Sequence, residues 1–430
     1  MKLQLKFKIL IALGLIIILV VILKPSDNGA PYDPYFRKVN EELRLNGPGR
    51  PVLVLDCDRL DRNLEIMMNY LKPPLSFRLV VKSLPSLPLM RYILQKTGSR
   101  KVMVFHQPDM NLLARSGLRD VDMLLGKPMP INAVREFYRE KTPGDFRPSQ
   151  QVQWLIDTPE RLNQYLQFAR ERGEVLRINI EIDVGLHRGG VDTLATLEKM
   201  LAVLAARKRH LRFSGFMGYE AHIAAVPVVF ADKREAIRSA LNDVLGKYRA
   251  FVNYGKERYP ELFQGELTLN AGGSTTYVLY KDQDLINDIA LGSAIVKPMG
   301  FDTVLLEDHI PALFIATPVL KKMKGTTIPF IEGASPLFSL WNPNKQNTYF
   351  IYGGGWLAQP FAPAGLESNA LYGFSTNQAF INGSDRTDAG VDDYIFFRPT
   401  QSERIMQEFG DLLILRNKRI VDSWPVFPTE

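Results

Sequence analysis

The chain has 430 residues, of which 46% are hydrophobic, 10% aromatic and 23% charged, with a formal net charge of +7. That supply of apolar side chains suffices for one large core or two smaller ones and excludes a disordered chain. The single cysteine, Cys57, excludes an intrachain disulfide framework and a cysteine-rich metal site, and no basic run with interleaved aromatics supports nucleic-acid binding.

The first 24 residues stand apart. Met1 to Lys8 carries three lysines, Ile9 to Leu23 is an apolar run of fifteen, and Lys24-Pro25 closes it. This is the pattern of a targeting or anchoring segment. No small-x-small cleavage site follows directly, so the expectation is an uncleaved single helix in the membrane. Its lysine-rich end is cytoplasmic and the bulk of the protein lies on the non-cytoplasmic, periplasmic side; secretion after cleavage is the alternative. Without the four lysines of this segment, 49 basic and 46 acidic side chains remain and the net charge falls to +3.

From residue 77 onward, short apolar runs alternate with stretches of helical period such as Pro159 to Arg172 and Leu194 to Lys208. Strands are predicted at Arg78 to Lys82, Lys101 to His106, Val121 to Gly126, Gln151 to Asp157, Leu176 to Asp183, Arg212 to Tyr219, Glu266 to Ala271 and Asp288 to Val296. Eight strands alternating with helices imply a closed parallel (β/α)8 barrel of the TIM type, whose functional groups lie at the carboxyl ends of the strands. Polar residues fall at those ends: Lys82, His106, Asp157, Asp183 with His187-Arg188, Tyr219-Glu220-Ala221-His222, and the loop Asn270-Ala-Gly-Gly-Ser-Thr-Thr-Tyr277.

Each has an ordinary reading. Lys82 at the end of Phe77-Arg-Leu-Val-Val-Lys82-Ser is either a side chain reaching for solvent or a buried amine poised for a Schiff base. Gly272-Gly273 is either a tight turn or an anion cradle. His106, Asp157 and His222 read singly as loop or capping residues. A lysine, an arginine, a tyrosine and a glycine-hydroxyl loop at one barrel face together point to a phosphorylated carbonyl cofactor, and pyridoxal 5'-phosphate fits best.

After Pro298 short β-like runs separated by turns take over: Ala312 to Pro318, Pro329-Phe-Ile331, Thr348 to Tyr352, Tyr394 to Phe397 and Leu412 to Leu415. They predict a mostly antiparallel β domain, which the early run Pro51 to Asp56 is able to join. The expected organisation is anchor 1–24, lead-in 25–50, barrel 51–298 and β domain 299–430.

Five of these segments carry a family resemblance: Phe77 to Ser83, Glu181-Ile-Asp-Val-Gly-Leu-His-Arg-Gly-Gly-Val191, Gly218-Tyr-Glu-Ala-His222, Asn270 to Thr276 and Ala290-Leu-Gly-Ser293. In that order they resemble the motifs of the alanine racemase-type (fold type III) pyridoxal phosphate enzymes. The likeness is nearest to the D-threonine aldolase and D-serine dehydratase branch, with its bacterial amino acid deaminase/aldolase members. The opening Pro51-Val-Leu-Val-Leu-Asp56 with Arg59-Leu-Asp-Arg-Asn63 is similar to theirs, and the likeness runs over about residues 50 to 425.

The resemblance implies a Schiff-base lysine and Cα proton-transfer base at Lys82, and Arg188 beside the cofactor's phenolic oxygen or the substrate carboxylate. It also implies catalytic Tyr219 and His222 flanking the cofactor, a phosphate site at Gly272, Gly273, Ser274 and Thr275, and a homodimer. In one respect the chain departs from the branch, whose metal-dependent members hold a divalent ion with a histidine and a cysteine or aspartate near the C-terminus. From Ile310 to Glu430 there is no histidine and no cysteine. The expected function is a metal-independent lyase, deaminase or aldolase acting on a small D-amino acid. The alternatives are an amino-acid racemase and a non-catalytic pyridoxal phosphate-binding protein.

Overall fold

The computed structural model describes residues 22–118, 120–140, 144–228, 232–373 and 375–428. The expected anchor, 1–24, lies almost wholly outside them. Among the described residues no helix is long and apolar enough to cross a membrane. The described residues divide into two units, one holding those of 57–312, 401–412 and 424–428, the other those of 313–400 and 413–423 together with those up to Asp56.

In the first unit, among the described residues, eight parallel strands close into a barrel: β2 (Ser76–Val80), β3 (Lys101–Val104), β4 (Asp122–Leu125), β5 (Val152–Ile156), β6 (Leu176–Ile182), β7 (Leu211–Gly218), β8 (Thr268–Ala271) and β9 (Asp288–Leu291). Closure is the pairing of β2 with β9, Ser76 to Leu79 against Asp288 to Leu291. The strands match the predicted runs, and all but β8, which ends at Ala271 as predicted, end earlier. β2 stops at Val80, and Val81–Ser83 turns as a 3-10 helix ahead of Pro85, so Lys82 stands on a turn rather than at a strand end. β3 stops at Val104, and His106 stands just before the helix Gln107–Arg115 without a side-chain capping bond; β9 stops at Leu291 before a turn at Ser293–Ile295.

Local chemistry explains the crossovers. The helix Pro159–Arg172 starts where the Thr158 hydroxyl accepts the Arg161 N–H, has proline in its first turn, and stops at left-handed Gly173. The barrel's amino-terminal end is sealed by a charge network on Arg78, whose fully buried guanidinium donates to Asp288 (2.7 Å) and Asp122 (2.8 Å). Arg177 pairs with Asp122 at 2.6 Å and Lys101 with Asp288 at 3.1 Å. Between β7 and β8 the backbones close at Gly215, where φ is +134° and a Cβ would sit 1.9 Å from the Thr268 carbonyl oxygen. Only glycine fits there.

In the second unit, among the described residues, an antiparallel sheet runs β13-β14-β11-β10-β1-β16-β17, with β15 also on β10 and β12 on β15. The members are β1 (Val52–Asp56), β10 (Leu313–Lys324), β11 (Asn347–Ile351), β12 (Ala358–Ala362), β13 (Glu367–Ser368), β14 (Phe380–Gly383), β15 (Tyr394–Pro399), β16 (Asp411–Arg416) and β17 (Arg419–Pro425). The helix Pro34–Asn46 packs Phe36 against Phe314 and Phe396. The chain therefore does not divide along the expected 51–298 and 299–430. β1 pairs in register with Leu313 to Ala316, and the helix Ser402–Phe409 groups with the barrel. The strand predicted at Pro329 to Ile331 is also absent. Pro329 has no N–H for a ladder and Phe330 is left-handed (φ 70°), and the helix Ser335–Trp341 follows instead.

Candidate functional site

A pocket of about 430 Å³ opens at the carboxyl ends of the barrel strands, and all of its lining belongs to the barrel unit. That volume suits a small organic molecule. Lys82 reaches it from the turn after β2. Its side chain is 47% exposed, so of the two readings of a strand-end lysine the amine is not the buried one, and Nζ lies 4.6 Å from the centre of the Phe105 ring and 3.9 Å from Glu403 Oε2.

Arg188 comes from the loop after β6, which folds back so that Asp183 N–H donates to Val191 O and Val191 N–H to Glu181 O. Gly190 permits the return, since a Cβ there would meet Asp183 N at 2.4 Å. The Asp183 carboxylate accepts N–H bonds from Gly185 and His187, both 3.0 Å, and pairs with His187 Nδ1 at 2.7 Å. Burial opposes its charge, yet these bonds hold its carboxyl below the usual range. The Arg188 guanidinium lies 5.0 Å from the centre of the Tyr219 ring. Burial pushes the Tyr219 phenol up, with Glu220 adding to the effect and Arg188 opposing it.

The loop after β8 is pinned from below. Glu220, fully buried, accepts the Gly272 N–H (3.2 Å) and the Thr276 hydroxyl (2.5 Å), and burial pushes its carboxyl up against those bonds. Gly273 N–H donates to Thr276 Oγ1, 3.1 Å, while Ser274 Oγ accepts the Gly292 N–H, 3.2 Å. The N–H groups of Ser274 and Thr275 are left with no acceptor among the described residues. Thus Gly272 and Gly273, expected to donate to a phosphate, spend their N–H groups inside the protein. Their contribution is room: Gly272 has φ +80°, and a Cβ on Gly273 would come within 2.9 Å of Tyr219 Cε2.

The structure therefore gathers Lys82, Arg188, Tyr219, Gly272, Gly273, Ser274 and Thr275 around one pocket. His222 is not among its lining residues. Its ring lies over Gly185, Nδ1 is buried without a hydrogen-bond partner, and burial together with His187 pushes its pKa down. Three carboxylates escaped the sequence reading. Glu220 and Glu181 sit inside motifs already singled out, whereas Glu403 lies in a segment allotted to the other domain and carried no local signal. Glu181 and Asp157 both face the Gly189 position beside Arg188, and burial with the Asp157 charge pushes Glu181 up to about 7 although Arg188 opposes it.

An amine, a cation above a phenol and two unengaged N–H donors flanked by hydroxyls fit a ligand with a carbonyl carbon at one end and a phosphate at the other. Residues 55–254 match the family described as alanine racemase, N-terminal domain. A 3-hydroxy-D-aspartate aldolase of Paracoccus denitrificans is 26% identical over 245 residues, 56% of this chain and 59% of that protein, so the match spans less than two thirds of its length. A D-threonine aldolase from Filomicrobium marinum has a similar fold, with TM-score 0.69, 14% identity and coverage of 94% of this chain and 97% of that one. For D-threo-3-hydroxyaspartate dehydratase from Delftia sp. HT23 the figures are TM-score 0.65, 16% identity, and 88% and 98% coverage.

Proposed function

We propose that this chain, whose barrel belongs to the alanine racemase N-terminal domain family, is a pyridoxal phosphate-dependent enzyme acting at Cα or Cβ of a small D-amino acid. It works as a lyase of the deaminase or aldolase type, without a metal. The observation that carries this reading is the convergence of the Lys82 amine, the Arg188–Tyr219 pair, the Glu403 carboxylate and the free N–H groups of Ser274 and Thr275 on one pocket. The D-configuration is suggested by the aldolases similar to it. The metal-free reaction is suggested by the lack of histidine and cysteine from Ile310 onward.

When bound, the cofactor supplies an electron sink for the pair left by bond cleavage at Cα. Lys82 would hold it at the carbonyl carbon, and the freed Nζ takes or returns a proton at the substrate's Cα. The N–H groups and hydroxyls of Ser274 and Thr275 would hold the phosphate. Arg188 offers forked donors to a carboxylate or phenolate oxygen, and Tyr219, kept protonated by its surroundings, donates from the same side. Glu403 faces Lys82 Nζ across 3.9 Å as an opposite charge. It and Tyr219 are also the pocket groups able to serve as the second proton carrier a racemase needs, which keeps racemisation as the second reading.

The test has two parts. Adding pyridoxal 5'-phosphate to the protein should raise a visible absorbance band that Lys82→Ala abolishes; an unchanged band refutes the lysine assignment. Incubation with D- and L-amino acids in deuterated water should yield keto acid or aldehyde from a D-substrate. Racemised product establishes the second reading, silence across the panel the binding-protein reading, and loss of activity with a chelator a metal.

The same proposal includes a homodimer, checked by light scattering. It also anchors residues 1–24 in the membrane with the catalytic part outside the cytoplasm, the lysines preceding the apolar run Ile9 to Leu23 being its support. Release by alkaline carbonate would count against the anchor.

A further inference from the structure

We propose that the excursion between β10 and β11 lies on the lipid bilayer surface, a second and peripheral membrane contact; it rests on the anchor reading above. Single exposed apolar side chains are ordinary, but here they are massed. Phe330 is 96% exposed and Leu340 72%, and Ile331, Leu337, Phe338 and Trp341 are exposed as well. The segment is held in that posture by polar bonds. Ile328 N–H donates to Ser335 Oγ (2.8 Å), Tyr372 OH to Thr327 O (2.9 Å), and the Thr326 and Thr348 hydroxyls meet at 2.9 Å. Thr348 of β11 and Tyr372 thus hold the polar start of the excursion while its apolar side chains stay exposed.

Two observations identify a bilayer as the occupant. The chain emerging from the N-terminal apolar run is tied to this same segment. Asn344, buried and three residues beyond Trp341, accepts the Asn28 N–H (2.9 Å) and donates to Ser26 O (2.7 Å). Ile22 and Leu23, the end of that run, are themselves exposed. With residues 1–24 anchored as proposed above, this tie would bring the face to the headgroup layer.

Charge agrees. From Leu320 to Asn347 the ionisable side chains are Lys321, Lys322, Lys324 and Lys345 against Glu332. Lys324 shares its charge with Asp385, while Lys321 packs on the Phe350 ring with Nζ 4.1 Å from its centre. Aromatic and leucine side chains flanked by lysines suit the boundary of an anionic leaflet.

The experiment uses the full-length protein in phosphatidylcholine–phosphatidylglycerol vesicles, spin-labelled through Phe338→Cys or Leu340→Cys; the native Cys57 is buried. Collision with oxygen and with a water-soluble nickel chelate reports depth. The expected result is protein that floats with the vesicles and labels about 5–10 Å below the phosphates. Vesicle-bound protein whose labels stay open to the chelate overturns the surface contact and leaves the anchor standing. Shielding that comes with spin–spin broadening assigns the face to a second copy and also overturns it. Protein that does not float refutes the anchor, and this inference with it.

Discussion

Replacing Arg78 by leucine should cost the barrel on the order of 3–5 kcal/mol, because it strands buried carboxylates whose charge that guanidinium balances. Asp288 is fully buried and would keep Lys101 at 3.1 Å and the Asn270 amide at 2.6 Å; Asp122 would keep Arg177 at 2.6 Å. Against a typical folding free energy of about 5–15 kcal/mol, that is a large fraction. Asp288→Asn in the same background should restore part of the loss, giving a coupling energy of roughly 2–3 kcal/mol in a double-mutant cycle.

The network also has a pH signature. Burial opposes ionisation of Asp122, yet Arg78 and Arg177 hold it at about 2 against an ordinary 3.8. The depressed pKa contributes stability above pH 3.8, about 2 kcal/mol, which is lost as pH falls towards 2. Wild type and Arg78→Leu should therefore converge in acid. Urea midpoints from pH 7 to pH 2.5, with hydrogen exchange of the β2 and β9 amides, measure both effects. A variant with wild-type midpoint and exchange at pH 7 refutes the reasoning.

Three further outcomes are expected. Glu220→Gln should remove a pH dependence of anion binding. The ionised carboxylate sets a like charge behind the loop, and one such pair ~8 Å apart at an effective dielectric of 20 costs about 2 kcal/mol, roughly thirtyfold in affinity. Calorimetric titration with pyridoxal 5'-phosphate over a pH series should show affinity falling as pH rises in wild type, because burial raises the Glu220 carboxyl's pKa and it ionises on the way up, and flat in the variant; a flat wild type contradicts the idea. Glu181 holds its proton up to about 7 when folded and releases it near 4.5 when unfolded, so wild type loses stability as pH climbs between those values, at most about 3 kcal/mol. Glu181→Gln should flatten that slope in urea titrations at pH 5 and 8, and equal slopes would argue against it. Gly215→Ala pushes a Cβ into the Thr268 carbonyl and should cost at least about 3 kcal/mol, reading as insoluble or unfolded protein. A soluble variant with an unshifted melting curve would discredit the close approach of β7 and β8.

The barrel was legible because strands buried on both faces must be apolar throughout, and because Thr158, Pro159 and Gly173 mark a helix's ends by chemistry local to the sequence. What escaped reading depends on partners distant in the chain. Arg78 inside a strand looks like a misfit until Asp288 and Asp122 surround it. The placement of Glu403 at Lys82 depends on a helix that sequence pattern had allotted to the other domain. The site motifs were visible as residue types, but not the division of labour within them: the Gly272 N–H goes to Glu220, and His222 turns to Gly185 rather than to the pocket.

Strand β1 pairs Val52 with Ala316, so a ladder about 260 residues in span joins a piece made before the barrel to one made after it. At about 5–20 residues per second of synthesis, the Val52–Asp56 strand waits roughly 13–50 s for its partner. Throughout that interval an apolar strand with open backbone donors is available to neighbouring nascent chains. The sheet, although it contains the early strand β1, is thus completed only after all eight barrel strands have been made. Crowded or slowed translation should be felt there first, as aggregation of chains whose barrels have already closed.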